Sequence, residues 1–137
     1  MHYATTLSNI DNQIVAIGGG NPSPNNKGSL DFLKIFFYYL TCFIVEIFNI
    51  GSSSWETKSD YPFCTDMIVD YSTISFRDFI LLMGGLCHND DSSETHSIIA
   101  KFRNNIWTQA GNLMTPRRYQ RSVVMNDLVY VIGGRGT

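Results

Sequence analysis

The stretch Val129-Tyr130-Val131-Ile132-Gly133-Gly134 is an apolar run closed by a glycine pair, and the chain writes it three times. The other copies are Ile14-Val15-Ala16-Ile17-Gly18-Gly19 and Ile80-Leu81-Leu82-Met83-Gly84-Gly85. A short unbroken apolar run reads as a strand covered on both faces, and a glycine pair at its end marks a turn or a close backbone approach. After the first two copies comes a second β-rich run and then a tryptophan, Trp55 and Trp107.

The spacing is that of a repeat. The last two doublets close at residues 85 and 134, 49 apart, and the tryptophans stand 52 apart. The first two doublets close 66 apart, and most of the excess lies between Gly19 and Trp55, where 36 residues stand against 22 in the second unit. A period near 50 with several short strands per unit points to a propeller, whose blades bury their faces only against their neighbours. Ahead of each doublet a polar break (residues 8–12, Arg77-Asp78, Asn126-Asp127) reads as a hairpin turn between a first and a second strand. A gap-free alignment on the tryptophans lays residues 45–50 over 97–102 as a third strand. The turns Gly51-Ser52-Ser53-Ser54 and Arg103-Asn104-Asn105-Ile106 then lead to a fourth.

These residues resemble kelch repeats, in which an apolar strand, a glycine doublet and an aromatic residue precede a tryptophan. The positions that match are Gly18, Gly19, Phe48 and Trp55 in the first unit, Gly84, Gly85, Phe102 and Trp107 in the second, and Gly133 and Gly134 in the third. Phe48 keeps the family's spacing of six residues between aromatic and tryptophan; in the second unit Ala100 holds that place and Phe102 comes two residues later. The resemblance implies an all-β fold of four-stranded antiparallel kelch-type β-propeller blades, an incomplete ring of about two and a half repeats. The expected divisions are repeat 1 over 1–63 with an apolar insertion at 32–44, repeat 2 over 64–115 and a partial repeat 3 over 116–137. It also implies a protein-interaction module rather than an enzyme, presenting rim loops such as 21–29 and 87–95 to a partner protein. Family roles include substrate recruitment to cullin-type ubiquitin ligases when a BTB domain precedes the repeats, and binding to actin. The alternatives are a kelch-like enzyme, of the copper radical oxidase or sugar-processing type, and a truncated non-functional gene product.

A ring needs typically 4–8 blades. At this period the chain would need further blades or self-association to close, and reads as a fragment, as one of several associating copies, or as a gene with misplaced ends. The net charge of −2 supplies no field for nucleic acid. Arg117, Arg118 and Arg121 are the local exception, either a patch for an acidic partner or a solvated loop, with Arg135 following the last doublet. The insertion 32–44 is apolar or aromatic at eleven of its thirteen positions, short of the roughly 20 residues that a membrane helix needs. Its deletion nearly restores the period, which reads as translated intron or another gene-model error, with a buried hairpin extension as the alternative.

Cys42 belongs to that insertion, leaving Cys64 and Cys87. Pairing across the hairpin would bring these two to one rim, where they stand either as free thiols, the favoured reading, or as a disulfide. No signal peptide follows Met1 and no Asn-x-Ser/Thr acceptor occurs, so a cytoplasmic location is favoured. Cys87-His88-Asn89-Asp90-Asp91 lacks a second ligand pair at metal spacing, and His2, His88 and His96 accompany no nucleophile motif. No catalytic residue, metal or cofactor is expected.

Overall fold

The computed structural model describes residues 6–10, 13–17, 45–58, 60–65, 67–89 and 92–136. Gly18, Gly19, the loop 21–29, the insertion 32–44, His2, Asp90 and Asp91 lie outside them. Every regular element among the described residues is a β-strand. The first five are β1 (Thr6–Ile10), β2 (Gln13–Ile17), β3 (Val45–Asn49), β4 (Ser54–Thr57) and β5 (Met67–Val69). Next come β6 (Ser72–Phe76), β7 (Phe79–Met83), β8 (Leu86–Asn89) and β9 (Ser92–Thr95). The last four are β10 (Ile98–Arg103), β11 (Ile106–Asn112), β12 (Arg118–Met125) and β13 (Leu128–Arg135).

Two antiparallel four-stranded blades follow, ordered β1-β2-β3-β4 and β6-β7-β10-β11, and the pair β12-β13 begins a third. The polar breaks form the hairpins. Phe76 faces Phe79 and Met125 faces Leu128, each across a two-residue turn, and Ile10 faces Gln13 in the first blade. Asn126 and Asp127 both take positive φ, the backbone that matches the right-handed twist of the flanking strands.

The register corrects the gap-free alignment. Phe48 lies opposite Trp55 and Phe102 opposite Trp107, so these two aromatics are equivalent and Ala100 is not the counterpart of Phe48. The first blade joins its third and fourth strands through residues 50–53, whereas the second uses only Asn104-Asn105. The tighter turn removes two residues between aromatic and tryptophan, which accounts for the apparent departure of the second unit. Both pairs are in ring contact, at 5.1 Å and 4.9 Å between centroids.

The core lies between the first two blades. Val15, Ile17, Val45 and Ile47 from one meet Ile80, Leu82, Ala100, Phe102 and Trp107 from the other. Burial of each large apolar side chain stabilises the packed state by about 1.5–3 kcal/mol. Ile80, Leu81, Leu82 and Met83 are all buried, as an unbroken apolar strand in a stacked blade requires. The first strands β1, β6 and β12 lie side by side, one from each blade.

Adjacent blades are joined by a hydrogen bond that repeats. Ser72 faces Met83 and Arg121 faces Ile132, so Tyr71 and Gln120 occupy equivalent positions, each one residue before the partner of the last apolar residue ahead of the doublet. The Tyr71 hydroxyl donates to the Ile17 carbonyl at 2.6 Å, and Gln120 Nε2 donates to the Met83 carbonyl at 2.6 Å. Ile17 and Met83 are the last residues before their doublets. Each blade thus fastens the strand end of the blade before it.

Gly84 and Gly85 take φ of +59° and +103°, and a Cβ on Gly84 would run into the Arg117 carbonyl and come within 2.7 Å of Gln120 Nε2. Only glycine fits there. The β6-β7 ladder ends at the doublet, and past that end β5, which precedes β6 in the chain, joins β8 and β9 in a separate three-stranded sheet. The sequence expectation of four strands per unit omitted this sheet, because residues 87–95 are polar and read as a loop.

A cationic rim beyond the glycine doublets

The doublet end of the blades carries the candidate site. In the second blade Val69 faces Leu86 beyond the doublet; the equivalent pair in the third blade is Arg118 and Arg135. An apolar pair is thus exchanged for two guanidinium groups. Between them stands Tyr119, half exposed at 50 %, with the Arg118 and Arg135 guanidinium carbons 5.4 Å and 5.1 Å from its ring centroid. Guanidinium groups over an aromatic face are attracted by the ring quadrupole, by about 0.5–1 kcal/mol at exposed sites.

Tyr119 has φ of +63°, and its equivalent in the second blade, Asp70, has φ of +57°. Asp tolerates the left-handed region, whereas a bulky aromatic there costs on the order of 1–2 kcal/mol. The Tyr119 amide donates to the Asp70 carbonyl at 2.9 Å, which holds this backbone in place. Strain of this kind clusters at functional sites. Among the described residues no carboxylate pairs with Arg118 or Arg135, and the buried Arg118 Nε has no partner.

The arginines of the sequence patch separate in the structure. Arg117 is structural: its carbonyl accepts from Gly85 N at 2.9 Å, its amide donates to the His96 carbonyl, and Nη1 donates to the Gly133 carbonyl at 3.1 Å. It clasps the doublets of two blades. Arg121 turns back onto the Gln120 carbonyl at 3.0 Å. Arg118 remains at the rim, where Arg135 and Tyr119 join it. The twin guanidinium geometry was not legible from the run 117–121, because Arg135 reaches it only through the strand register.

The same end carries the β8-β9 hairpin, which includes the expected contact loop 87–95. His88 Nδ1 and the Ser93 hydroxyl are 2.7 Å apart across it. His96 closes the hairpin, its amide donating to the Gly85 carbonyl at 2.8 Å. Burial lowers the His96 imidazole below its ordinary value, with Glu94 opposing the shift. Cys64 and Cys87 are joined as a disulfide, their Cα atoms 5.8 Å apart, so the favoured expectation of free thiols does not describe this structure. Among the described residues no group of three or more His, Cys, Asp or Glu side chains could hold a metal ion.

The opposite end of the blades differs in charge. A cleft there is lined by Gln13, Lys58, Asp78 and Arg103, but Lys58 pairs with Glu56 and Arg103 with Asp78. Its cations are neutralised, whereas among the described residues Arg118 and Arg135 of the doublet rim are not. Of the two tryptophans, Trp107 is buried at 8 % exposure under Tyr61, whereas Trp55 is 37 % exposed.

No protein-family model matches the sequence. The chain is 23% identical over 95 residues to Kelch-like protein 21 of Rattus norvegicus, an alignment covering 68% of this chain and 15% of that protein. The solved structure of YjhT, a kelch-type propeller, superposes with a TM-score of 0.70 at 16% identity. That superposition covers 96% of this chain and 38% of YjhT, so the chain spans well under half the length of either relative. The doublets, the aromatic–tryptophan pairs in register and the two four-stranded sheets give the chain the fold of kelch-type propeller blades.

Proposed function

We propose that the chain is a protein-interaction module whose doublet rim, at the second and third blades, captures an acidic segment of a partner protein. The observation that carries this reading is Tyr119, held in left-handed backbone and half exposed between two guanidinium groups that no carboxylate neutralises among the described residues. A carboxylate laid against Arg118 and Arg135 would form charge-assisted hydrogen bonds, each worth about 1.5–3 kcal/mol. The tyrosine ring offers apolar contact to the stem of the same side chain. Capture of this kind suits the adaptor role that the kelch resemblance implies, and the expected contact loop 87–95 shares the rim.

The test uses a fluorescent peptide with four clustered glutamates and its glutamine counterpart, read by anisotropy. The glutamate peptide binds, the glutamine peptide does not, and binding weakens as salt is raised. Replacing Arg118 and Arg135 by glutamine weakens it at least about tenfold, or 1.4 kcal/mol. Equal binding of the two peptides, or indifference to the arginine substitutions, refutes the reading.

A further inference from the structure

The disulfide joins two elements beside the three-residue ladder between β5 and β8. Cys64 belongs to the connection between the first and second blades, and Cys87 is the second residue of β8, 23 positions later. The connection is anchored from within by Tyr61, buried against Trp107 with ring centroids 5.2 Å apart. From without, Asn89 Oδ1 accepts from the Thr65 hydroxyl at 2.8 Å and from the Thr65 amide at 3.3 Å. The disulfide is the covalent link between this connection and the rim hairpin β8-β9.

The surroundings of the two sulfurs suit thiols as well as a disulfide. Cys87 Sγ lies 3.2 Å from Asn89 Oδ1, and Cys64 Sγ lies 3.5 Å from the His88 carbonyl oxygen. A disulfide sulfur has no hydrogen to donate, so neither oxygen receives a bond from it in the oxidised state. In the dithiol state the Cys64 S–H has the His88 carbonyl as an acceptor, and the Cys87 S–H would share Asn89 Oδ1 with the two Thr65 donors. Both residues are buried, Cys87 at 1 % exposure and Cys64 at 8 %, so Cys64 is the nearer to solvent. Exchange therefore begins at Cys64.

We propose that Cys64 and Cys87 form a reversible redox latch, whose oxidised state locks the β8-β9 hairpin onto the inter-blade connection and whose reduced state leaves it held by the β5-β8 ladder and the Asn89–Thr65 bonds alone. The co-reactant is a dithiol. One of its thiolates attacks Cys64 Sγ, the protein S–S bond breaks, and Cys87 leaves as a thiolate that takes up a proton. The second thiolate of the reductant then displaces Cys64 from the mixed disulfide, and the Cys64 thiolate takes up a proton in turn. The protein gains two electrons and two protons, and the dithiol becomes a disulfide. The hairpin lies on the same rim as Arg118, Tyr119 and Arg135, so the latch would regulate partner capture. That consequence rests on the proposed function; the latch itself does not.

The experiment compares the oxidised chain with the chain reduced by dithiothreitol, following amide hydrogen exchange by mass spectrometry and Trp107 fluorescence in a Trp55→Phe background. Reduction without denaturant should accelerate exchange in residues 86–89 and 92–95 at least about tenfold while β1-β2 and β12-β13 keep their protection. A Cys64→Ser variant should reproduce the reduced pattern, and re-oxidation should restore the original one. Three results overturn the proposal: a bond that dithiothreitol cannot reduce in the folded chain, reduction that unfolds every segment together, and reduction that leaves hairpin exchange unchanged. The glutamate peptide is titrated in both states. If it binds in neither while the exchange difference holds, the partner reading fails and the latch stands.

Discussion

Replacing Gln120 by alanine tests whether neighbouring blades are fastened by the repeated hydrogen bond onto the strand end before the doublet. Gln120 is fully buried, and Nε2 donates to the Met83 carbonyl at 2.6 Å. Its other amide atom, Oε1, is buried with no partner among the described residues. Truncation removes one hydrogen bond, worth about 0.5–1.5 kcal/mol net, from a carbonyl in a residue that is itself buried. It also leaves a cavity that close packing around Gly84 and Met83 only partly fills, so the total cost is about 2–3 kcal/mol. Methionine at the same position keeps the volume, loses the bond and removes the unpartnered Oε1; its cost is about 1 kcal/mol or less. Urea denaturation measures both values. Because blades interact with nearest neighbours, hydrogen exchange should quicken in β12-β13 while β1-β2 stays protected. Loss of less than 0.5 kcal/mol on Gln120→Ala, or a methionine variant less stable than the alanine one, would refute the argument.

Two further outcomes follow from burial. Trp107→Ala should cost about 3–5 kcal/mol, since the ring packs against Tyr61 and Phe102, whereas Trp55→Ala should cost markedly less because its ring is partly exposed. Equal shifts in the urea midpoint would contradict that difference. For pH, burial depresses the folded His96 value, so the stability supplied by the neutral ring is complete above the unfolded value of about 6.5. It is lost as pH falls from there through the folded value, because the unfolded chain takes up the proton first. His96→Gln should flatten this part of the stability profile measured between pH 7.5 and 4.5, and an unchanged profile would exclude His96 as its source.

The strands, the hairpin turns and the blade class were legible in residues 14–19, 80–85 and 129–134, because an apolar run with a terminal glycine pair has few other physical readings. Charge alone was enough to single out the run 117–121. Three things needed the tertiary structure. The equivalence of Phe48 and Phe102 depends on a turn of four residues against one of two, a difference that alignment on the tryptophans conceals. The β8-β9 hairpin depends on polar strands, His88 and Ser93 among them, whose pairing comes from the ladder beyond the doublet rather than from hydrophobic alternation. Last, Arg118, Tyr119 and Arg135 converge only because the register sets residue 118 opposite residue 135. Local pattern dictates which segments become strands, because backbone pairing and apolar burial act over a few residues. Which side chains meet is decided by register and blade stacking, which are properties of the folded chain.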